Sequence, residues 1–330
     1  MGAALITIVV ATYNRAVVLA RSLRTVIAQT RQDWTALVIG DACTDATSQA
    51  ISDLGDDRIR FVNLSNRFGE QAGPNSVGMA LAKTPYVAFL NHDDYWFPDH
   101  LERAVDVLER EGRDLFWSRA AFFTNRGTWA DRPFFDEVSS ADRHLSQVHD
   151  SQNVICEPIS CWVARRDALG RLGPMKLGSQ TTVAPLHDYA ARAAKLGLTL
   201  GTSEAVTVLK DRMWYAPPSY ANTAEFAEDW VQMIEAGQTT EIEETIRNDI
   251  WLANCLGLPR DPVRPKVGNR RASTLTLARE TGLDLLELDA TARQLDHALL
   301  GATLTHRTGD KIGAQPDLDA AIAFARRALS

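Results

Sequence analysis

Three short polar clusters carry side chains able to meet phosphate, a cation or a proton: Thr12-Tyr13-Asn14-Arg15, Gly40-Asp41-Ala42-Cys43-Thr44-Asp45 and Asn91-His92-Asp93-Asp94. Hard divalent cations such as Mg2+ and Mn2+ take oxygen ligands and are often shared with substrate phosphates. One or two carboxylates at a strand end are what such a site needs. Taken alone, Asn91-His92-Asp93-Asp94 reads equally well as that site or as a polar turn in which Asp94 caps the next element.

The elements that must hold these clusters are legible in the apolar pattern. Leu5 to Val10 is a short β-rich run, suited to a buried strand. Leu19, Leu23, Val26 and Ile27 then share one face of a helix. Thr35 to Ile39 predicts a second strand, and Asp45 is a natural N-cap for a helix with Ala50, Ile51 and Leu54 inward. Arg58 to Leu64 alternates as a third strand, and Pro74 suits the first turn of a helix running to about Lys83. Tyr86 to Leu90 is a fourth strand, and Pro98 opens a helix with Leu101, Ala104, Val105 and Leu108 on one face. Strands alternating with helices predict an α/β fold: a mostly parallel sheet, Rossmann-like, with helices on both faces. Ligands of such sheets bind at the carboxyl ends of the strands, where all three clusters fall.

The stretch from 112 to 215 is aromatic-rich and less regular, and from about 220 the pattern turns helical. Phe226, Trp230, Met233 and Ile234 form one stripe, Leu285, Leu288, Ala292, Leu295 and Leu299 another, and Leu318 to Leu329 a third. Pro259 to Pro265 marks a break. The expected division is an α/β domain over 1–215 and a helical C-terminal region over 216–330.

The chain has 330 residues and a formal net charge of -7. An acidic chain of this kind does not hold nucleic acid on a general basic surface. No apolar run reaches the roughly 18 to 20 residues of a membrane span, so no transmembrane segment is expected. Cys43, Cys156, Cys161 and Cys255 form no CxxC pair and read as reduced thiols of a cytoplasmic protein.

Val10-Ala11-Thr12-Tyr13-Asn14-Arg15, Val38-Ile39-Gly40-Asp41-Ala42-Cys43-Thr44-Asp45 and Ala88-Phe89-Leu90-Asn91-His92-Asp93-Asp94-Tyr95-Trp96 together resemble the family 2 glycosyltransferases of the GT-A fold. Their order and spacing match over roughly residues 5 to 110, more weakly to about 200. The resemblance implies that 1–215 is a nucleotide-sugar-binding catalytic domain. It implies that Thr12, Tyr13, Asn14 and Arg15 border a nucleotide-sugar donor, that Asp41 accepts the ring N–H of a base, usually uracil, and that Asn75 lies in the donor region. Asn91 and His92 would lie near the ribose and diphosphate, and Asp93 would be the ligand of a divalent cation, Mn2+ or Mg2+. Asp94, adjacent to it, would orient this group instead of binding the metal.

Three positions depart from the family pattern. Gly40 stands where a second acid is usual, Pro74 precedes Asn75 where Arg is common, and Asn91 replaces the first acid of the metal motif. The segment from Leu186 to Gly197 resembles the family's acceptor-side helix, making Asp188 the catalytic base, with Arg192 one turn on to hold it. Arg212, Trp214 and Tyr215 could reach the diphosphate or a sugar ring, or could pack between domains. Arg260, Arg264, Lys266, Arg270 and Arg271 are a solvated linker or a contact for a phosphorylated or membrane-linked acceptor.

The resulting expectation is an inverting transferase that moves a sugar from a nucleotide diphosphate, UDP-linked, to an acceptor hydroxyl. The acceptor is a glycan, a lipid-linked or a small molecule; the enzyme is cytoplasmic or peripheral to the inner face of a membrane, and a homo-oligomer is compatible. The alternatives are a non-catalytic nucleotide- or glycan-binding module and a nucleotidyltransferase. The last normally has a Gly-rich phosphate loop after the first strand, which Thr12-Tyr13-Asn14-Arg15 is not.

Overall fold

The computed structural model describes residues 4–124, 134–139, 156–181, 184–211, 227–255 and 316–330. Strands β1 (Ile6–Thr12), β2 (Trp34–Gly40), β3 (Ile59–Asn63) and β4 (Tyr86–Asn91) alternate with helices α1 (Ala16–Ile27), α2 (Thr47–Ser52) and α3 (Ala72–Leu81). The strands pair in parallel in the order β3-β2-β1-β4, with Ile6 in register with both Trp34 and Tyr86. Every residue of β1 is buried, as expected of a β-branched run covered on both faces. Gly78 of α3 lets that helix lie against β1, since a Cβ there would come within 2.3 Å of Val9 Cγ1. These elements match the sequence expectation to within a few residues.

Beyond residue 91 the sheet becomes mixed. Strand β5 (Asp94–Trp96) and helix α4 (His100–Arg110) are followed by β6 (Leu115–Thr124), β7 (Phe134–Val138) and β8 (Trp162–Arg165). Helices α5 (Arg166–Leu172) and α6 (Pro185–Lys195) precede β9 (Leu200–Asp211). Strand β8 lies antiparallel between β4 and β6, β9 runs parallel to β6, and β5 closes the far edge antiparallel to β9. The mostly parallel expectation therefore describes β1 to β4, and the remaining pairings are antiparallel except β6 with β9.

Helices α7 (Ala227–Glu235), α8 (Thr239–Cys255) and α9 (Leu318–Leu329) come from the helical part of the sequence. Trp230, Val231, Ile234, Ile242 and Ile246 of α7 and α8 share a core with Tyr95, Phe97, Phe123 and Phe135 of the sheet edge. Arg21 and Arg24 of α1 pair with Glu228 of α7. Helix α9 packs on α3 and β3, burying Ala325, and the Leu329 carbonyl accepts from Arg60 at 2.6 Å. Arg212, Trp214, Tyr215, Phe226, Pro259 to Pro265, the basic residues 260–271 and the stripe from Leu285 to Leu299 lie outside the described residues. No described helix is long and apolar enough to cross a membrane.

Candidate active site

The loop after β1 bends through two consecutive left-handed residues, Asn14 (φ 52°) and Arg15 (φ 65°), immediately before α1. A third left-handed non-glycine, Ala42 (φ 59°), lies in the loop after β2. Such conformations cost free energy unless the surroundings hold them, and they gather at functional sites. Here the two loops hold each other. Asn14 Oδ1 accepts the Thr44 N–H at 2.9 Å, and the Asn14 N–H donates to Cys43 Sγ at 3.3 Å. Burial pushes the Cys43 thiol up, so it stays protonated and donates to the Thr12 carbonyl. Asp45, expected to cap one helix, serves two: its carboxylate accepts from the Ala16 N–H at the start of α1 and the Thr47 N–H at the start of α2.

Asp41 ends up almost fully buried, 4% exposed, at the end of β2. Its two oxygens accept the backbone N–H groups of Phe68 and Gly69, at 2.7 and 2.8 Å. Burial pushes its carboxyl up, opposed by those two hydrogen bonds and by Arg67. Arg67 in turn lies 3.6 Å over the ring of Tyr13. Gly40, the position where the family carries an acid, has no room for one: a Cβ would meet Asn63 Oδ1 at 2.7 Å and the Phe61 ring at 2.9 Å. The Asn63 amide fills that place, accepting the Cys43 N–H at 2.7 Å and donating to the Cys43 carbonyl at 2.8 Å. Asn75 is buried in the first half of α3, 2% exposed, rather than set at a strand end.

The segment from Asn91 to Trp96 is held by α1, where the Ser22 hydroxyl donates to the His92 carbonyl and Thr25 Oγ1 accepts the Trp96 N–H. Asp94 is not the cap of a polar turn. It opens β5, fully buried, where Lys210 Nζ of β9 donates at 2.7 and 3.0 Å, Asn91 Nδ2 at 3.1 Å and the Ser160 hydroxyl also donates. Burial pulls Lys210 down, but Asp94 and Asp93 outweigh it and hold the ammonium above its ordinary value.

Asp93 keeps more exposure, 23% of its side chain, and pairs with Arg15 Nη1 at 3.1 Å. Burial opposes its ionisation, yet the cationic groups around it, His92 if protonated, Lys210 and Arg15, hold its pKa below the ordinary carboxylate value. Burial holds His92 neutral, so at neutral pH this work falls to Lys210 and Arg15. His92 Nδ1 is buried without a hydrogen-bond partner.

Among the described residues no group of three or more His, Cys, Asp and Glu side chains is placed to hold a metal. His92 Nε2 lies 3.9 Å from Asp93 Oδ2, and the partly exposed Asp93 carboxylate fits an ion whose remaining ligands are substrate phosphate oxygens. Thus the Arg15–Asp93 pair joins the first cluster to the third, and the Asn14–Thr44 bond joins the first to the second.

Asp188 lies in the first turn of α6, its side chain 17% exposed. Arg192 Nε donates to it at 2.8 Å, as the spacing predicts, and Lys176 Nζ at 3.2 Å, which it does not. Arg192 is itself fixed, donating to the Leu172 and Pro174 carbonyls at 2.7 Å each. Next to Asp188, the Tyr189 ring lies 6.3 Å from that of Trp162, two residues from the Ser160 that holds Asp94. The helix start is thereby tied to the start of β8, which lies toward the carboxyl end of the antiparallel β4.

Sequence reasoning missed Ser160, Lys210, Asn63 and Glu70. Lys210 had a usable signal, since Lys210-Asp211 succeeds the apolar strand Ala205 to Leu209 in the same way as the three clusters succeed theirs. Ser160 and Asn63 had none, being identified only by what they touch. Glu70 accepts the Gly178 N–H at 2.8 and 2.9 Å, linking the Asp41 loop to the segment that carries Lys176.

Residues 7–173 match the family model described as Glycosyl transferase family 2. Among curated proteins, the succinoglycan biosynthesis protein ExoW of Rhizobium meliloti is 32% identical over 117 residues, 34% of this chain and 37% of that protein. The UDP-Glc:alpha-D-GlcNAc-diphosphoundecaprenol beta-1,3-glucosyltransferase WfgD of Escherichia coli is 25% identical over 122 residues, 37% of this chain and 47% of that protein. The matched part thus spans less than half of either relative. Among solved structures, S. aureus TarS 1-349 in complex with UDP-GlcNAc aligns with TM-score 0.56 and 15% identity, covering 98% of this chain and 91% of that one. At this identity the likeness is one of fold, and the fold is GT-A-like.

Proposed function

The chain belongs to glycosyl transferase family 2, and from that premise we propose that it transfers a sugar from a nucleotide diphosphate, UDP-linked, to an acceptor hydroxyl with inversion. The observation that carries this reading is the convergence of three sequence-distant strand-end clusters into one hydrogen-bonded patch through Asn14, Arg15, Thr44 and Asp93. Residues 1–215 are proposed as the catalytic domain, and 216–330 as a helical region.

In this reading Thr12, Tyr13, Asn14 and Arg15 border the nucleotide. Asp41, steadied by Phe68 and Gly69, meets the base, while Asn91 and His92 lie near the ribose and diphosphate and Asn75 backs the donor region from α3. Asp93, with His92 beside it, would hold a Mn2+ or Mg2+ ion shared with the diphosphate, and that ion supplies charge neutralisation at the leaving group. Asp188 takes the proton of the acceptor hydroxyl as its oxygen bonds to the anomeric carbon, and the bond from that carbon to the diphosphate oxygen breaks on the opposite face. Arg192 keeps the Asp188 carboxylate oriented for this, and Lys176 must yield its hydrogen bond for the carboxylate to accept the proton.

The E. coli relative's name gives it a diphosphoundecaprenol-linked acceptor, which supports a lipid-linked glycan as the acceptor class and a place at the inner face of a membrane. A thermal-shift screen of nucleotide sugars with Mn2+ tests the donor, because a ligand at 100 times its Kd stabilises by about 2.7 kcal/mol. Release of UDP then tests turnover: Asp93→Ala and Asp188→Asn are each expected to lower it at least about 100-fold with the fold intact. Full activity in D188N removes Asp188 as the base. Nucleotide binding without release across a wide acceptor panel favours the non-catalytic module.

A further inference from the structure

We propose that Arg15 is an internal competitor of the divalent cation: it occupies the Asp93 carboxylate until a diphosphate draws it away, so that ion and donor bind together and neither binds well alone. This rests on Asp93 being the ion ligand.

The geometry leaves no other acid of the motif for the ion to use. Asp94 is fully buried and accepts from Lys210, Ser160 and Asn91. Asn91 stands where the first acid would be. Asp93 Oδ2 carries the Arg15 guanidinium at 3.1 Å, and the Arg15 side chain is only 9% exposed. A dication and a guanidinium on the same carboxylate repel each other where little water screens them. Arg15 is also aimed by its backbone rather than by side-chain freedom alone. It sits at φ 65° after Asn14 at φ 52°, and this bend is pinned by the Asn14–Thr44 and Ala16–Asp45 hydrogen bonds.

A bound diphosphate resolves the conflict, because guanidinium N–H groups match phosphate oxygens as well as they match a carboxylate. Arg15 then exchanges one anion for another, and the freed Asp93 oxygen becomes available to the ion. By linkage the ion must strengthen nucleotide binding by the same factor as the nucleotide strengthens ion binding.

The test is Mn2+ binding to the full chain without nucleotide, read from the electron paramagnetic resonance signal of the free ion and then repeated with UDP. Arg15→Gln is expected to bind Mn2+ alone about fivefold to tenfold more tightly than the parent, and to show a smaller ratio between affinities with and without UDP. Arg15→Gly accepts the left-handed backbone without strain and so removes the side chain while keeping the fold. It is expected to behave as R15Q does, whereas Arg15→Lys, which keeps the charge, stays nearer the parent. Unchanged or weaker Mn2+ binding by folded R15Q and R15G overturns the competition. Asp93→Asn separates this from the underlying reading: if Mn2+ binding persists in D93N, Asp93 is not the ligand, and the assignment fails together with the proposal built on it.

Discussion

Asp93 and Asp94 are adjacent in sequence and opposite in circumstance: Asp93 ends the turn after β4, and Asp94 opens β5. Asp94 points inward to Lys210, and Asp93 outward to Arg15. Replacing Lys210 by Met leaves a buried carboxylate without its counter-charge, which typically costs about 3–5 kcal/mol. Urea unfolding of K210M should show that loss, and K210M with Asp94→Asn should recover part of it. The sequence places two acids at a strand end, but which of them is buried against a counter-charge depends on a lysine 116 residues away and could not be read locally.

The same scale governs base choice. A single carboxylate that accepts a ring imino N–H meets that donor in uracil and in guanine, but finds a bare ring nitrogen in adenine and cytosine. With Asp41 as the reader, UDP and GDP should protect against thermal unfolding more than ADP and CDP, and Asp41→Asn should reduce the difference.

At the scale of elements, β1 to β4 and the helices α1 to α4 were legible because each is local: an apolar run, a helical stripe, a Pro near a helix start. Strands β6 to β9 were not, since their order and direction are set by partners far along the chain. Strand β5 was hidden for a sharper reason: three residues against β9 leave no periodicity to see. The departure at Gly40 also belongs here, being a matter of how β2 and β3 pack. Gly40→Asp should destabilise by roughly 1–3 kcal/mol through overpacking against Asn63 and Phe61. G40D combined with Asn63→Ala should recover stability, which a chemical denaturation series would measure. Recovery would mean that Asn63 had taken the acid's space, and no recovery that Phe61 alone forbids it.

For the molecule as a whole, the pH response of stability should include one buried histidine. His100 is fully buried, stacked on Trp96 at 4.3 Å, with Nδ1 2.8 Å from the Thr207 hydroxyl. Burial lowers its pKa from the ordinary 6.5 to about 3. The unfolded chain therefore binds the proton more readily between those values, and stability falls as pH drops through that window. The loss from this group alone can reach about 1.4 kcal/mol per pH unit, and above pH 6.5 the contribution is complete. Denaturation midpoints of the parent should slope over that range, and those of His100→Gln should slope less.

Helix α9, formed by residues 318 to 329, lies on α3 and β3, which belong to the first hundred residues. A ribosome therefore delivers the N-terminal sheet long before the piece that covers its α3 side. Throughout that interval the apolar seat of Leu318, Ile322, Phe324 and Ala325 faces the solvent of the growing polypeptide, open to chaperones and to other nascent chains. A segment synthesised long after the N-terminal sheet thus completes the half of the molecule that carries the loops after β1 and β2.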